Sequence, residues 1–296
     1  MPTIGFIGLG NMGAPMAANL VKSGERVQGF DVSPRSRWAS AEHGVQVMAS
    51  AKRAVEDADV VITMLPAGEH VMSVWTDVLP VAKHGALFID CSTIDVTSAR
   101  AAHALAAEHG VASLDAPVSG GVGGATAATL TFMVGGAAEA FARGRPVLER
   151  MGKRVVHCGE PGNGQAAKIC NNMILGISMI AVSEAFVLGE KLGLSHRALF
   201  DVASASSGQC WSLTSYCPVP GPVPASPANN GYKAGFAAAL MLKDLKLARE
   251  AAESVGANTA LGAHAAQIYD SFAEQGQAAS DFSAIINFVR KESQDR

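Results

Sequence analysis

The chain is short of the residues that build disulfide and metal frameworks. Its five cysteines (Cys91, Cys158, Cys170, Cys210 and Cys217) are odd in number and form no CxxC pair. That argues against a disulfide scaffold or a zinc knuckle and suits a reducing cytosol. Eight histidines are scattered, mostly in polar contexts, so no metal site is expected. There is no charge excess: 23 Lys and Arg stand against 26 Asp and Glu, dispersed along the chain, which gives nothing for a nucleic acid to hold. No basic leader precedes the first apolar run, so no signal peptide is expected. The longest nearly apolar run, Met173 to Val182, is too short to cross a bilayer and reads as a buried helix segment, with no membrane role. No internal repeat is visible.

What is present is a chain of 296 residues, 49% hydrophobic, enough for two domains with sizeable cores. The run IGFIGLGNMGAPMAANL starts as an apolar strand, turns through Gly8, Gly10 and Gly13, and continues as an apolar-periodic helix. Asp31 closes a second strand-like run, Arg26 to Phe30. This is a dinucleotide-binding fingerprint in its proper setting. Gly8 permits the tight turn, Gly10 a close backbone approach to a pyrophosphate, and Gly13 close helix–strand packing. The helix start then offers N–H groups and a partial positive charge to phosphates.

The first half continues to alternate. Val60 to Leu65 and Leu87 to Cys91 are continuous apolar runs, as in strands buried on both faces. Ala112 to Val118, Thr129 to Val134 and Val155 to Cys158 are further strand candidates. The spacing fits βαβ crossovers and predicts a mostly parallel, doubly wound sheet of Rossmann type. Ligands of such sheets lie beyond the carboxyl ends of the strands, where Asp31, Pro66 and Thr93 fall.

From about Gly164 helical periodicity takes over. Gln165 to Leu192 reads as one long helix, and Gly235 to Val255, Asn258 to Phe272 and Phe282 to Arg290 as three more. The proline-rich CPVPGPVPASPANNG between them reads as a rigid surface loop rather than a linker. The expected domains are residues 1–162, an α/β dinucleotide-binding unit, and 163–296, an all-α unit.

Three segments carry further chemistry. In DAPVSGGVGGATAATL, Ser119, Gly120 and Gly121 follow a strand end and offer a hydroxyl with closely spaced amides, suited to a carboxylate; a plain flexible glycine turn is the alternative. In GNGQAAKICNNM, Lys168 and Asn172 are four apart and share a helix face. Among apolar neighbours a lysine loses hydration, its pKa falls, and it can exchange a proton with an alcohol. A snorkelling surface lysine is the competing reading. In LMLKDLKLARE, Lys243, Asp244 and Lys246 read on composition as a solvated face.

Taken in order, GFIGLGNMGAPMAANL, MLPAG, IDCSTI, DAPVSGGVGGATAATLTFMVGG, GNGQAAKICNNM and KDLKLA resemble the β-hydroxyacid dehydrogenase family over nearly the whole chain. The resemblance implies a Rossmann-type domain followed by an all-helical one. It implies that Lys168 is catalytic, that Ser119, Gly120, Gly121 and Asn172 bind substrate, and that Gly8, Gly10, Asn11, Met12, Gly13, Asp31, Leu65, Pro66, Thr93 and Lys243 contact the dinucleotide. Lys246 stands where relatives often have glycine. A homodimer or homotetramer sharing the long helix is also implied, with a small β-hydroxy acid as substrate. The expected reaction is 3-hydroxyisobutyrate to methylmalonate semialdehyde, reversibly, as in valine breakdown. L-serine and 3-hydroxypropionate oxidation, tartronate or succinic semialdehyde reduction, and a non-catalytic dinucleotide sensor are the alternatives. Asp31 would accept from a ribose 2′-hydroxyl and repel a 2′-phosphate, so NAD is expected over NADP. A short-chain dehydrogenase is excluded because Tyr216, Tyr232 and Tyr269 are followed four residues later by Pro220, Phe236 and Ala273, not lysine. Trp211 and Phe236 are candidates for shaping the substrate pocket.

Overall fold

The computed structural model describes residues 2–294. The chain forms two compact units, one ending at Lys168 and the other beginning at Ile169. The division falls inside the long helix rather than before it at 162/163, because the first turn of that helix is bonded to the sheet of the first unit.

The first unit alternates strands and helices: β1 (Thr3–Ile7), α1 (Gly13–Lys22), β2 (Arg26–Phe30), α2 (Pro34–Ala41), β3 (Gln46–Val47), α3 (Ala51–Val55), β4 (Val60–Thr63), α4 (Gly68–Val78), β5 (Leu87–Asp90), α5 (Val96–Glu108), β6 (Ala112–Asp115), β7 (Val118–Ser119), α6 (Gly121–Thr126), β8 (Leu130–Gly135), α7 (Ala138–Leu148) and β9 (Gly152–Gly159). Strands β3, β2, β1, β4, β5 and β6 lie side by side in that order, all parallel. The chain winds one way from β1 to β3 and the other way from β4 to β6, so the order reverses between β1 and β4, where doubly wound sheets bind ligands. The parallel pattern ends at β8, which runs antiparallel to β6 and β7, while β9 pairs parallel with β8. The run Ala112 to Val118 is therefore two strands, broken at Ala116 and Pro117.

Alternate residues serve opposite faces of the sheet. Ile4, Phe6, Ile62, Ile89 and Leu114 pack with Met16 and Leu20 of α1. Ile7, Val61 and Phe88 pack with Val71 and Trp75 of α4. Both faces are apolar, as a sheet covered by helices on each side requires.

The second unit consists of the rest of α8 (Asn163–Lys191) with α9 (His196–Ser204), α10 (Trp211–Thr214), α11 (Ala238–Val255), α12 (Ala260–Phe272) and α13 (Ile285–Glu292). By length and composition α8 could cross a membrane, but half of its apolar stretch is buried, as in a core helix. The proline-rich loop is packed down: Cys217 and Val219 are buried, and the Tyr232 hydroxyl donates to the Pro218 carbonyl at 2.8 Å. Helix α11 starts at Ala238 instead of Gly235, because the amides of Gly235 and Phe236 donate to the buried carboxylate of Asp281.

A buried polar network ties β4 to β5 at their carboxyl ends. Thr63 Oγ1 and Ser92 Oγ both donate to Asp90 Oδ1, at 2.7 and 2.6 Å. Ser92 Oγ in turn accepts the Leu65 amide at 2.8 Å, and Trp75 Nε1 donates to Thr63 at 3.3 Å. Asp90 Oδ2 has no partner among the described residues. Burial outweighs the hydrogen bonds and pushes the Asp90 carboxyl up to about 6. In the unfolded chain it titrates near 3.8, so the native state binds the extra proton between those values. Stability tied to Asp90 is therefore full below pH 3.8 and is lost as pH rises through about 6. The loss amounts to about 3 kcal/mol. Chemical denaturation of the protein and of Asp90→Asn across this range should show that fall in the former and not in the variant.

Candidate active site

The parallel register aligns five strand ends. Ile7 pairs with Phe30 on one side and Thr63 on the other, Thr63 with Asp90, and Asp90 with Asp115. Asp31 and the Gly8 turn follow at once, Leu65, Pro66 and Thr93 follow within three residues, and Ser119 to Gly121 come at the end of the short strand β7 that follows β6. All the dinucleotide and carboxylate candidates of the first unit thus lie along one edge.

Each glycine of the first turn has a separate physical reason. Gly8 has φ +96°, and a Cβ there would sit 2.2 Å from the Met64 carbonyl oxygen. A Cβ at Gly13 would sit 1.8 Å from the Gly8 oxygen. A Cβ at Gly10 would meet nothing within 4 Å, so that side of the turn is open. Helix α1 begins just beyond with no side-chain cap and no acidic residue in its first turn. An open backbone cradle before a helix start of positive potential fits a pyrophosphate.

Asp31 is fixed to this turn. Its Oδ2 accepts the Leu9 amide and its Oδ1 the Ser33 amide, both at 2.7 Å. Each carboxylate oxygen has a second lone pair, so both can still accept from ribose hydroxyls. The residues present therefore fit a dinucleotide with a free 2′-hydroxyl. Beyond β7, Gly120 and Gly121 have φ +133° and +60°, a conformation open to glycine, so the chain turns there beside Ser119. This turn is folded rather than loose: α6 follows it directly, and Asn19 of α1 donates to the Ala125 carbonyl of α6 at 2.6 Å.

Lys168 is 6% exposed, which rules out the snorkelling surface reading. It stands on the first turns of α8, and those turns are held by residues the sequence reading passed over. Asp115 accepts the amides of Gly162 and Gln165, each at 2.9 Å. Gln165, fully buried, donates from Nε2 to the Ser92 carbonyl at 2.7 Å and accepts the Ile94 amide at 3.1 Å. One signal for Asp115 lay in the chain: an acidic residue at a strand end, and a later helix whose start, Gly162-Asn163-Gly164, brings no acid of its own.

In the second unit, Asn172 is one helical turn beyond Lys168 and 2% exposed. Its Oδ1 accepts from Asn171 at 2.9 Å, and its Nδ2 donates to the carboxylate of Asp244. Asp244 is 4% exposed, so the Lys243–Asp244–Lys246 stretch is not simply a solvated face. Lys243 beside it is half-buried, whereas Lys246 pairs with Asp270 at 2.9 Å. Trp211 is half-exposed and stacks on Tyr216 at 4.9 Å; Phe236 meets Phe282 edge-on.

The glycine geometry separates binding from folding. Gly13→Ala should lower stability by about 1–3 kcal/mol, since backbone must move. Gly10→Ala should leave the melting temperature unchanged but weaken NAD binding in a calorimetric titration, because its methyl fills the open side of the turn.

Residues 3–159 match the family model for the NAD binding domain of 6-phosphogluconate dehydrogenase, and 162–289 that for the NAD-binding of NADP-dependent 3-hydroxyisobutyrate dehydrogenase. A solved structure of Mycobacterium tuberculosis 3-hydroxyisobutyrate dehydrogenase with L-serine superposes with a TM-score of 0.96 at 59% identity, covering 98% of this chain and 99% of that one. In Pseudomonas aeruginosa, the 3-hydroxyisobutyrate dehydrogenase is 50% identical (98% of this chain, 99% of that protein). The NAD-dependent L-serine dehydrogenase of the same organism is 47% identical (96% and 97%). With both halves matched and relatives this close along the full length, the chain belongs to the β-hydroxyacid dehydrogenase family of NAD-binding oxidoreductases.

Proposed function

We propose that this protein catalyses the reversible NAD-dependent oxidation of a β-hydroxy acid, with 3-hydroxyisobutyrate going to methylmalonate semialdehyde. The observation that carries the reading is the burial of Lys168, an amine kept from bulk water on a helix start anchored to the strand that leads into Ser119. Ser119 Oγ and the amides of Gly120 and Gly121 take the substrate carboxylate. Lys168 Nζ accepts the proton of the C3 hydroxyl in oxidation and returns it in reduction. Asn172, its amide oriented by Asn171 and Asp244, holds the substrate, and Lys243 contacts the cofactor. The bound nicotinamide supplies the hydride acceptor, or the donor in reverse. Leu65, Pro66 and Thr93 border it, and the Leu65 amide is held by Ser92. NAD is preferred to NADP because a 2′-phosphate would meet the Asp31 carboxylate.

L-serine is the second reading, favoured by the solved relative that carries it. On the primary reading the protein is a cytoplasmic homo-oligomer that acts in valine breakdown.

NADH absorbance on mixing protein, NAD and a panel of 3-hydroxyisobutyrate enantiomers, L-serine and 3-hydroxypropionate tests activity and substrate together. Dinucleotide binding without turnover on any of them would leave a sensor instead of an enzyme. Lys168→Ala should cut turnover by ~10²–10⁴ while NAD still binds. Near-normal turnover in that variant rejects the role given to Lys168, and faster turnover with NADP rejects the cofactor choice.

A further inference from the structure

Asp115 ends β6, and Ser119 follows four residues later. The carboxylate is 2% exposed and takes three donors. Oδ1 accepts the Gly162 amide and His103 Nε2, and Oδ2 accepts the Gln165 amide, all at 2.9 Å. His103 is itself oriented: facing a carboxylate, its Nε2 is the donor to Asp115, and its Nδ1 pairs with Ser113 Oγ at 2.7 Å. Two amides at the start of α8 are thus satisfied by an acid from a strand 47 to 50 residues earlier. That is a helix cap supplied from across the fold rather than from the preceding residue.

The junction leaves no slack. A Cβ at Gly164 would sit 2.4 Å from the Met133 oxygen and 2.5 Å from the Asp115 backbone oxygen. A Cβ at Gly135 would sit 2.4 Å from Asp115 Oδ1. Helix start and strand end are therefore in backbone contact. Gln165 fixes the rotation of the same turn through Ser92 and Ile94. Lys168 stands three residues further on, so its direction follows from these bonds.

We propose that Asp115 is a positioning residue for the reaction: through the first turn of α8 it sets Lys168 relative to the Ser119–Gly121 turn that its own strand leads into. The inference rests on Lys168 being the proton-transfer group. Asp115 touches neither substrate nor cofactor. Its contribution is to make the carboxylate-binding turn and the amine two ends of one rigid piece. A displacement of about 1 Å between such groups can cost roughly 10²-fold in rate.

Asp115→Asn keeps the size but withdraws one acceptor oxygen and the charge. The expected result is a fall in kcat of roughly 10²-fold with NAD affinity, read by calorimetry, changed less than about twofold. The primary isotope effect on kcat with substrate deuterated at C3 should rise, because proton and hydride transfer become slower than product release. A role in stability alone predicts a lower melting temperature, with kcat per NAD-binding site and the isotope effect unchanged; that result overturns the proposal. Should Asp115→Asn fail to fold, His103→Phe removes one donor and keeps a ring. It should show the same pattern at smaller size, and unchanged kcat and isotope effect there overturn the proposal equally. Lys168→Ala, assayed alongside, separates the two claims. Activity in Lys168→Ala rejects the reading of the lysine, whereas an inactive Lys168→Ala with a normal Asp115→Asn rejects only the positioning role.

Discussion

Parallel pairing is the constraint on which the candidate chemistry depends. When β2, β1, β4, β5 and β6 run the same way, every carboxyl end reaches the same edge, and five separate loops become neighbours. Register then decides whether the loops start level. A slip of one residue would turn Ile4 and Phe6 to the face now occupied by Ile7, away from α1. Burial on both faces makes such a slip costly, each large side chain being worth about 1.5–3 kcal/mol. The apolar core thus fixes the position of polar residues that it does not touch.

A second level of order comes from polar groups buried just below that edge. Each links one loop to another: Ser92 holds Leu65, Gln165 holds Ser92 and Ile94, Asn19 holds α6 against α1, and Asp31 holds Leu9. A buried donor or acceptor left unpaired costs about 1–3 kcal/mol, so such links are directional as well as stabilising. Asp90 shows the same rule from the other side. One of its oxygens accepts from two hydroxyls, the other has no partner among the described residues, and burial raises its proton affinity in spite of those hydrogen bonds.

These two levels were unequally legible in the sequence. Gly8, Gly10 and Gly13, the strands around them and the long helix announce themselves through local pattern, because a turn, an apolar run or a helical period is written in neighbouring residues. For Lys168, Ser119 and Asn172 local pattern left alternatives open, and their roles come from the resemblance to the β-hydroxyacid dehydrogenase family. Asp115, Gln165, Ser92 and Asn19 did not announce themselves, since the bonds by which they tie one loop to another reach partners 27 to 106 residues away and exist only once the strands are paired. The same reason explains where element ends drifted. Gly235 and Phe236 fit a helical period, but the distant Asp281 takes their amides and delays α11. Likewise β6 and β7 fit one apolar run, but they are separated by Ala116 and Pro117, whose bonds go to Asp90 and Met133.

Substrate choice lies at a third level, beyond both. On the proposed reading, 3-hydroxyisobutyrate and L-serine offer the same two handles, a carboxylate and a primary hydroxyl. Ser119 to Gly121 and Lys168 address only those handles, so they accept either molecule alike. The difference sits at C2, where one carries a methyl and the other an ammonium. An apolar wall there gains about 0.8 kcal/mol from the methyl but leaves the ammonium desolvated without a partner, at several kcal/mol. A wall with a well-placed acceptor reverses the preference, yet rejects the methyl less severely, since a methyl has no hydrogen bond to lose. Discrimination against L-serine is therefore the easier of the two to build. A protein of this fold that turns over both has a C2 wall that is polar or open to water, and the ratio of the two kcat/KM values reports which wall it has.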